Sequence, residues 1–293
     1  MSAVPIRLAM AQMLVTGGAF RANLDRACLR IAEAAELGAQ IVVLPEALDA
    51  GWTHHSAAEL AQPIPGGEAC ERLRAAARQN GVFVCAGLTE RAGPNVFNAA
   101  VLMDPQGNLL LHHRKLNELE LGHACYAQGD RLAVVHTSLG TIGLMICADA
   151  FARGQMVARG LGLMGADLIL SPCAWAVPAD HDQVREPYGG LWHDSYGPVA
   201  RDFRLWIAGV SNVGEITGGP WSGRKCIGCS LLVGPDGEPR TVGPYGEAAE
   251  ALLLAELELV PRPARGESWE RLWSPAGAHL ARPIPELPNR RAA

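Results

Sequence analysis

Gly140-Thr141-Ile142-Gly143-Leu144-Met145-Ile146-Cys147-Ala148-Asp149-Ala150-Phe151 is the stretch on which the reading of this chain turns. The apolar run Ile142 to Ile146 has the character of a buried strand in an α/β sheet, and it stops at Cys147. The residues that follow have helical spacing. A cysteine at a strand-to-helix turn points out of the carboxyl end of a sheet, beside the free N–H groups of a helix start. Such groups lower a thiol's pKa and hold a developing oxyanion. A thiol among Met and Ile also fits a second description, that of a small core hydrophobe. The neighbours of Cys147 in space have to decide between the two.

The surrounding chain supplies a sheet to hold that strand. Residues 4–13 alternate as a first strand, 20–37 carry apolar side chains at helical spacing with Gly38 as a stop, and Gln40-Ile41-Val42-Val43-Leu44 reads as a strand ending at Pro45. That is a β-α-β unit, whose two strands are expected to lie parallel and adjacent. A second helix over 68–80 and strands at 82–89, 96–103, 108–112 and 132–136 follow. Beyond Cys147 the pattern gives a helix over 155–164, a strand at 166–171 broken by Pro172, a Trp- and His-rich loop over 173–190, and a helix over 191–205. Strands at 206–211, 228–233 and 252–257 complete it. The turn Asp104-Pro105-Gln106-Gly107 recurs in kind at Gly234-Pro235-Asp236-Gly237, which hints at two similar halves.

Composition narrows the class of protein. The 293 residues are 49% hydrophobic and 19% charged, as in an ordinary globular chain. The net charge of −5, with no basic cluster, argues against nucleic acid and anionic membranes as partners. No run approaches the ~18–20 apolar residues that cross a bilayer, and the N-terminal stretch has too short an apolar core for a signal peptide. The eight scattered cysteines read as reduced thiols, so a cytoplasmic location is expected. One domain over 1–260 is expected, followed by a Pro/Arg-rich tail over 261–293.

Several motifs are set aside on their context. Gly160-Leu161-Gly162-Leu163-Met164-Gly165 matches a dinucleotide fingerprint, but it ends a helix and precedes a strand, the reverse of what phosphate binding needs. Cys226 and Cys229 have no second pair at zinc spacing. His112 and His113 are neighbours on a strand and point to opposite faces. Neither a metal nor an organic cofactor is expected. Glu46, fixed just past a strand end by Pro45, and Lys115, in mid-chain after another strand, are the charged groups best placed to serve a thiol.

Leu44-Pro45-Glu46, His113-Arg114-Lys115-Leu116 and Ile146-Cys147-Ala148-Asp149 together resemble, in order and separation, the three signature segments of the nitrilase superfamily of carbon–nitrogen hydrolases. The likeness runs from the first strand to about Asp236, and includes Ala174-Trp175 and Ser211-Asn212-Val213-Gly214. The resemblance implies a four-layer α-β-β-α sandwich with two mixed sheets, a homodimer or larger homo-oligomer associating through its helices, and a Glu46-Lys115-Cys147 triad. Cys147 would attack the substrate carbon, Glu46 would move the proton, and Lys115 with the backbone N–H of Ala148 would hold the oxyanion. The family often carries a second glutamate shortly before the glycine matching Gly129. Here that position is Gly122, so the role is expected of Glu118 or Glu120, with Glu120 preferred. Asn117 stands where many relatives have histidine.

True nitrilases resemble Cys-Trp-Glu after the nucleophile, whereas Cys147-Ala148-Asp149 is closer to the amidase and carbamoylase branches. The expected activity is hydrolysis of a small linear amide or N-carbamoyl compound with water. A nitrilase and a catalytically silent, binding-only relative are the rival readings. Trp175 and Asp149 are the expected substrate-binding residues, and the loop with His181, Asp182, Arg185 and Trp192 is expected to border the pocket.

Overall fold

The computed structural model describes residues 5–263 and Gly266; the expected boundary at 260 therefore falls within it, and nearly all of the Pro/Arg-rich tail lies outside the described residues. The amino-terminal half runs β1 (Ile6–Gln12), α1 (Phe20–Glu36), β2 (Ile41–Val43), a short α2 (Ala57–Leu60), α3 (Glu68–Asn80), β3 (Phe83–Ala92), β4 (Asn95–Met103) and β5 (Leu109–Arg114). As the β-α-β pattern requires, β1 and β2 pair in parallel, as do β2 and β3. Strands β4 and β5 then return as antiparallel hairpins.

The second half repeats the plan: β6 (Val134–Thr137), β7 (Gly140–Leu144), α4 (Met156–Met164), β8 (Leu168–Cys173), a two-residue β9 (Ala176–Val177), α5 (Gly190–Phe203) and β10 (Trp206–Ser211). After β11 (Val213–Glu215) and β12 (Lys225–Ile227) come β13 (Leu231–Val233), β14 (Pro239–Val242) and β15 (Ala251–Leu257). The two six-stranded sheets have orders β15-β1-β2-β3-β4-β5 and β6-β7-β8-β10-β13-β14. Each has three parallel strands in its middle, an antiparallel strand on one side and a hairpin on the other. The recurring turns at 104–107 and 234–237 link the equivalent pairs β4–β5 and β13–β14, so the hint of two similar halves has a structural basis.

Side-chain alternation builds the layers. Along β1, Leu8 and Met10 join the apolar core shared with the second sheet, while Ala9 and Ala11 pack with Leu24, Ile31 and Leu73 of α1 and α3. Helices α4 and α5 cover the second sheet through Leu161, Tyr196 and Val199. The result is helices, sheet, sheet, helices: the expected four-layer sandwich.

Three boundaries differ from the sequence reading. Of the expected strand at 228–233 only Leu231–Val233 forms, as β13; Gly228 and Cys229, both with positive φ, separate it from β12. Pro172 does not end β8, which runs on to Cys173. The last β7–β8 pair is Leu144 with Leu170, so a residue beyond it owes no N–H to that neighbour. The helical spacing after Cys147 forms only a 3₁₀ turn, Cys147–Phe151; the α-helix begins at Met156.

Backbone packing at the strand ends is tight. Gly87 of β3 donates to the carbonyl of Pro45 at 3.0 Å, and a Cβ built on it would stand 2.5 Å from the Cα of Glu46. Gly87→Ala is therefore expected to cost about 1–3 kcal/mol by overpacking. Thermal melting and catalytic assays should show a lower Tm together with reduced activity; an unchanged Tm would mean that the loop at Glu46 yields freely.

Candidate active site

Three strand ends converge. Glu46 lies three residues past β2, Lys115 directly follows β5, and Cys147 lies three residues past β7. Lys115 is 1% exposed, and an ammonium that deep in protein requires partners. It has two: Nζ donates to Glu46 Oε1 at 2.8 Å and to Glu118 Oε1 at 3.2 Å. Burial disfavours the charge on Lys115, but the carboxylates of Glu46 and Glu118 outweigh it and hold its pKa well above the lysine range. Burial, with Glu46 adding to it against the pull of Lys115, raises the pKa of Glu118.

The second carboxylate is thus Glu118 and not Glu120. Glu120 is exposed, at the start of a 3₁₀ turn over Glu120–Ala124. The physical reason is spacing: Glu118 is three residues from Lys115, within reach of its ammonium across one tight turn. Above it Gly122 is needed, because a Cβ there would meet Glu118 Oε1 at 2.5 Å.

Asn98 of β4 completes the cluster and was missed in the sequence. Its Nδ2 donates to Glu46 Oε1 at 2.6 Å and its carbonyl accepts from the Lys115 N–H at 2.9 Å. The only trace in the sequence is a carboxamide in the middle of the apolar strand Asn95-Val96-Phe97-Asn98-Ala99-Ala100-Val101.

Cys147 adopts φ 44°, a left-handed conformation costly to a residue with a Cβ and a recurrent mark of functional turns. Its own N–H donates to Ser171 Oγ at 3.2 Å, and the N–H of Asp149 donates to the carbonyl of Ile146. Ala148, fully buried, lies between them. The pKa of the thiol is shifted the opposite way from what a helix start would favour. Burial first, then Cys173 and the Glu46 carboxylate, push its pKa well above the cysteine range, and only Lys115 pulls it down. A single 3₁₀ turn supplies little dipole, and the charge of Lys115 is already shared by two carboxylates.

Asp149 is fully buried and does not line the cavity beside Cys147. Its Oδ1 accepts from the N–H groups of Leu116 and Asn117, and its Oδ2 from the N–H of Ile146, with His113 Nε2 2.8 Å away. Asn117 answers by donating Nδ2 to the carbonyl of Ala148 at 2.6 Å. Two neighbouring loops, one with Lys115 and one with Cys147, are thereby fastened to each other. His112, one residue from His113, turns to Glu90 on the opposite face.

Lys115, Cys147, Ala148 and Trp175 all line one cavity of about 180 Å³. Trp192 joins them, but His181 lines a separate cavity with Lys225 and Tyr245. Asp182 and Arg185 line neither; Asp182 Oδ1 instead accepts from the N–H groups of Val184 and Arg185. Among the described residues no cluster of three or more His, Cys, Asp or Glu side chains is arranged to hold a metal ion.

Residues 7–261 match the family model described as carbon-nitrogen hydrolase, and the chain belongs to that family. It is a carbon–nitrogen hydrolase of the nitrilase superfamily, similar to its amidase members. It is 32% identical over 241 residues to a nitrilase of Pyrococcus abyssi, covering 81% of this chain and 84% of that protein. It is also 32% identical over 179 residues to an omega-amidase of Xenopus tropicalis, spanning 58% of this chain and 63% of that one. The fold matches an amidase from Nesterenkonia sp. AN1 with a TM-score of 0.72 at 24% identity, over 86% of this chain and 90% of the other.

The clip at Asp149 makes a separable prediction. Asp149→Asn replaces one acceptor oxygen by an amide donor among three backbone N–H groups. It should lower stability by about 1–3 kcal/mol and reduce kcat by roughly 10- to 100-fold through misplacement of Lys115, with little change in KM. Steady-state kinetics with a melt of the same sample would show it. A change confined to KM would instead return Asp149 to the substrate pocket.

Proposed function

We propose that this chain hydrolyses the C–N bond of a small amide or N-carbamoyl compound through a thioester on Cys147. One observation carries the reading: a buried Lys115 hydrogen-bonded to both Glu46 and Glu118, lining the same cavity as a strained, buried cysteine.

Because the resting thiol keeps its proton, attack needs a base that acts as the S–C bond forms. Glu46, the carboxylate that acts electrostatically on Cys147, takes that proton. The carbonyl oxygen becomes an oxyanion, met by Lys115 Nζ and the N–H of Ala148. Collapse breaks the C–N bond, and the leaving amine or ammonia departs with the proton from Glu46. Water then attacks the thioester as Glu46 accepts its proton. Collapse expels the sulfur, which recovers that proton, and the acid product leaves. Glu118 and Asn98 hold Lys115 and Glu46 in register. The scheme uses only the chain's own groups and water.

Nitrile hydrolysis through the same thioester is the second reading, favoured by the similarity to the Pyrococcus abyssi nitrilase. Eight free thiols support a reducing, cytoplasmic setting, and exposed Met156 and Leu163 on α4 support association with a second copy.

Incubation with amides, ureido acids and nitriles should give an acyl adduct on Cys147 by intact mass. Cys147→Ala should abolish turnover, and Glu46→Gln should lower it by about 100- to 10,000-fold, the range of a lost general base. Turnover by Cys147→Ala at the parent rate would end the thioester mechanism; ammonia release from nitriles alone would move the assignment to a nitrilase.

A further inference from the structure

The cavity beside Cys147 is built from a scarce material. Aromatic residues make up 5% of the chain, yet Trp52, Phe151, Trp175, Tyr188, Trp192 and Trp221 all line it, four of the seven tryptophans among them. They form two blocks. Trp52 and Trp221 meet edge to face with ring centres 5.0 Å apart. Trp175 stacks on Trp192 at 4.5 Å, with Phe151 5.6 Å from Trp192. Trp192 Nε1 donates to the hydroxyl of Tyr188 at 2.7 Å, which fixes that second wall.

Charge in the cavity is already committed. Lys115 is the only cationic side chain among the described residues that line it, and its ammonium is bonded to Glu46 and Glu118. Arg224 stacks on Trp221 with its guanidinium carbon 4.3 Å from the ring centre, but it does not line the cavity. The indole N–H groups of Trp52 and Trp175, both buried, have no hydrogen-bond partner among the described residues. A site for a carboxylate-bearing acyl chain would present a guanidinium or ammonium to it. Here an anionic group would be dehydrated beside two carboxylates, and a cationic one beside the Lys115 ammonium.

We propose that this aromatic cavity is an acyl pocket for uncharged, apolar carboxamides, with Trp175 and Trp192 as one specificity wall and Trp52 and Trp221 as the other, and that it rejects amides whose acyl chain ends in a charge. The proposal rests on the hydrolase reading above and narrows its substrate class.

Three amides of similar length test it: 4-methylpentanamide, succinamate, whose carboxylate replaces the isopropyl group, and 4-aminobutanamide. The neutral amide should exceed both charged ones in kcat/KM by about 100-fold or more, since neither charge finds a partner. Trp221→Arg should shift the succinamate-to-neutral ratio upward by at least about 10-fold, because it adds the missing cation. A charged amide used as well as the neutral one overturns the proposal, as does a succinamate preference that disappears in Arg224→Ala. Failure of every amide would remove the amide part of that reading alone. The pocket is then read from ligand binding to Cys147→Ala by tryptophan fluorescence, where tighter binding of 4-methylpentanamide than of succinamate supports it and equal or weaker binding overturns it.

Discussion

An ammonium buried to the last few square ångströms sets the terms for this molecule. Lys115 holds its charge only because Glu46 and Glu118 stand against it, and those carboxylates are tolerable in the interior only because Lys115 stands between them. The three come from two segments that the first sheet brings together. Asn98, from a third strand, bonds Glu46 and Glu118 with its amide and anchors the Lys115 backbone. Removing any one member leaves a buried charge or donor uncompensated. The cluster is therefore both a structural commitment and a pre-set electrostatic environment for whatever enters the cavity.

The half of the site around Cys147 is held by different means. Cys147 sits on a strained turn at the end of β7, and Asp149 ties that turn to the loop carrying Lys115 through the N–H groups of Leu116 and Asn117 and through His113, while also accepting from Ile146 of its own segment. The carboxylate stays below the usual aspartate range: burial works against the charge, but the bond to His113 and the backbone donors prevail. This arrangement makes Asp149 a fastener between the two sheets' loops. The position of Cys147 is thereby fixed by the clip.

The repeated plan of the two halves puts these loops where they are. Each sheet has parallel strands at its centre, whose carboxyl ends open on one edge, and residues beyond such ends gather in a crevice. The cavity walls come from scattered segments: Trp52 after β2, Phe151 four residues after Cys147, Trp175 after β8, Trp192 on α5 and Trp221 between β11 and β12. The charged cluster and Cys147 stand at strand ends, while the walls of the cavity beside them come from loops of unrelated sequence position.

Much of this was written in local sequence. Apolar periodicity marked most strands and the main helices, because a chain that must bury one face repeats that demand every two or 3.6 residues. The strand-end positions of Glu46, Lys115 and Cys147 followed from the same pattern, and the two turns with Pro second and Gly fourth, at 104–107 and 234–237, marked the equivalent hairpins. Contacts between distant segments were not written there. Glu118 rather than Glu120 reaches Lys115 because of how one turn folds over Gly122. Asp149 faces inward to backbone donors that sequence cannot place, and Asn98 is one polar residue in an apolar strand until Glu46 is set beside it. The raised pKa of Cys147 depends on burial and on the nearness of Cys173 and Glu46, both properties of the assembled fold. Periodicity is a property of neighbours along the chain; a site's charge balance and a pocket's walls are properties of neighbours in space.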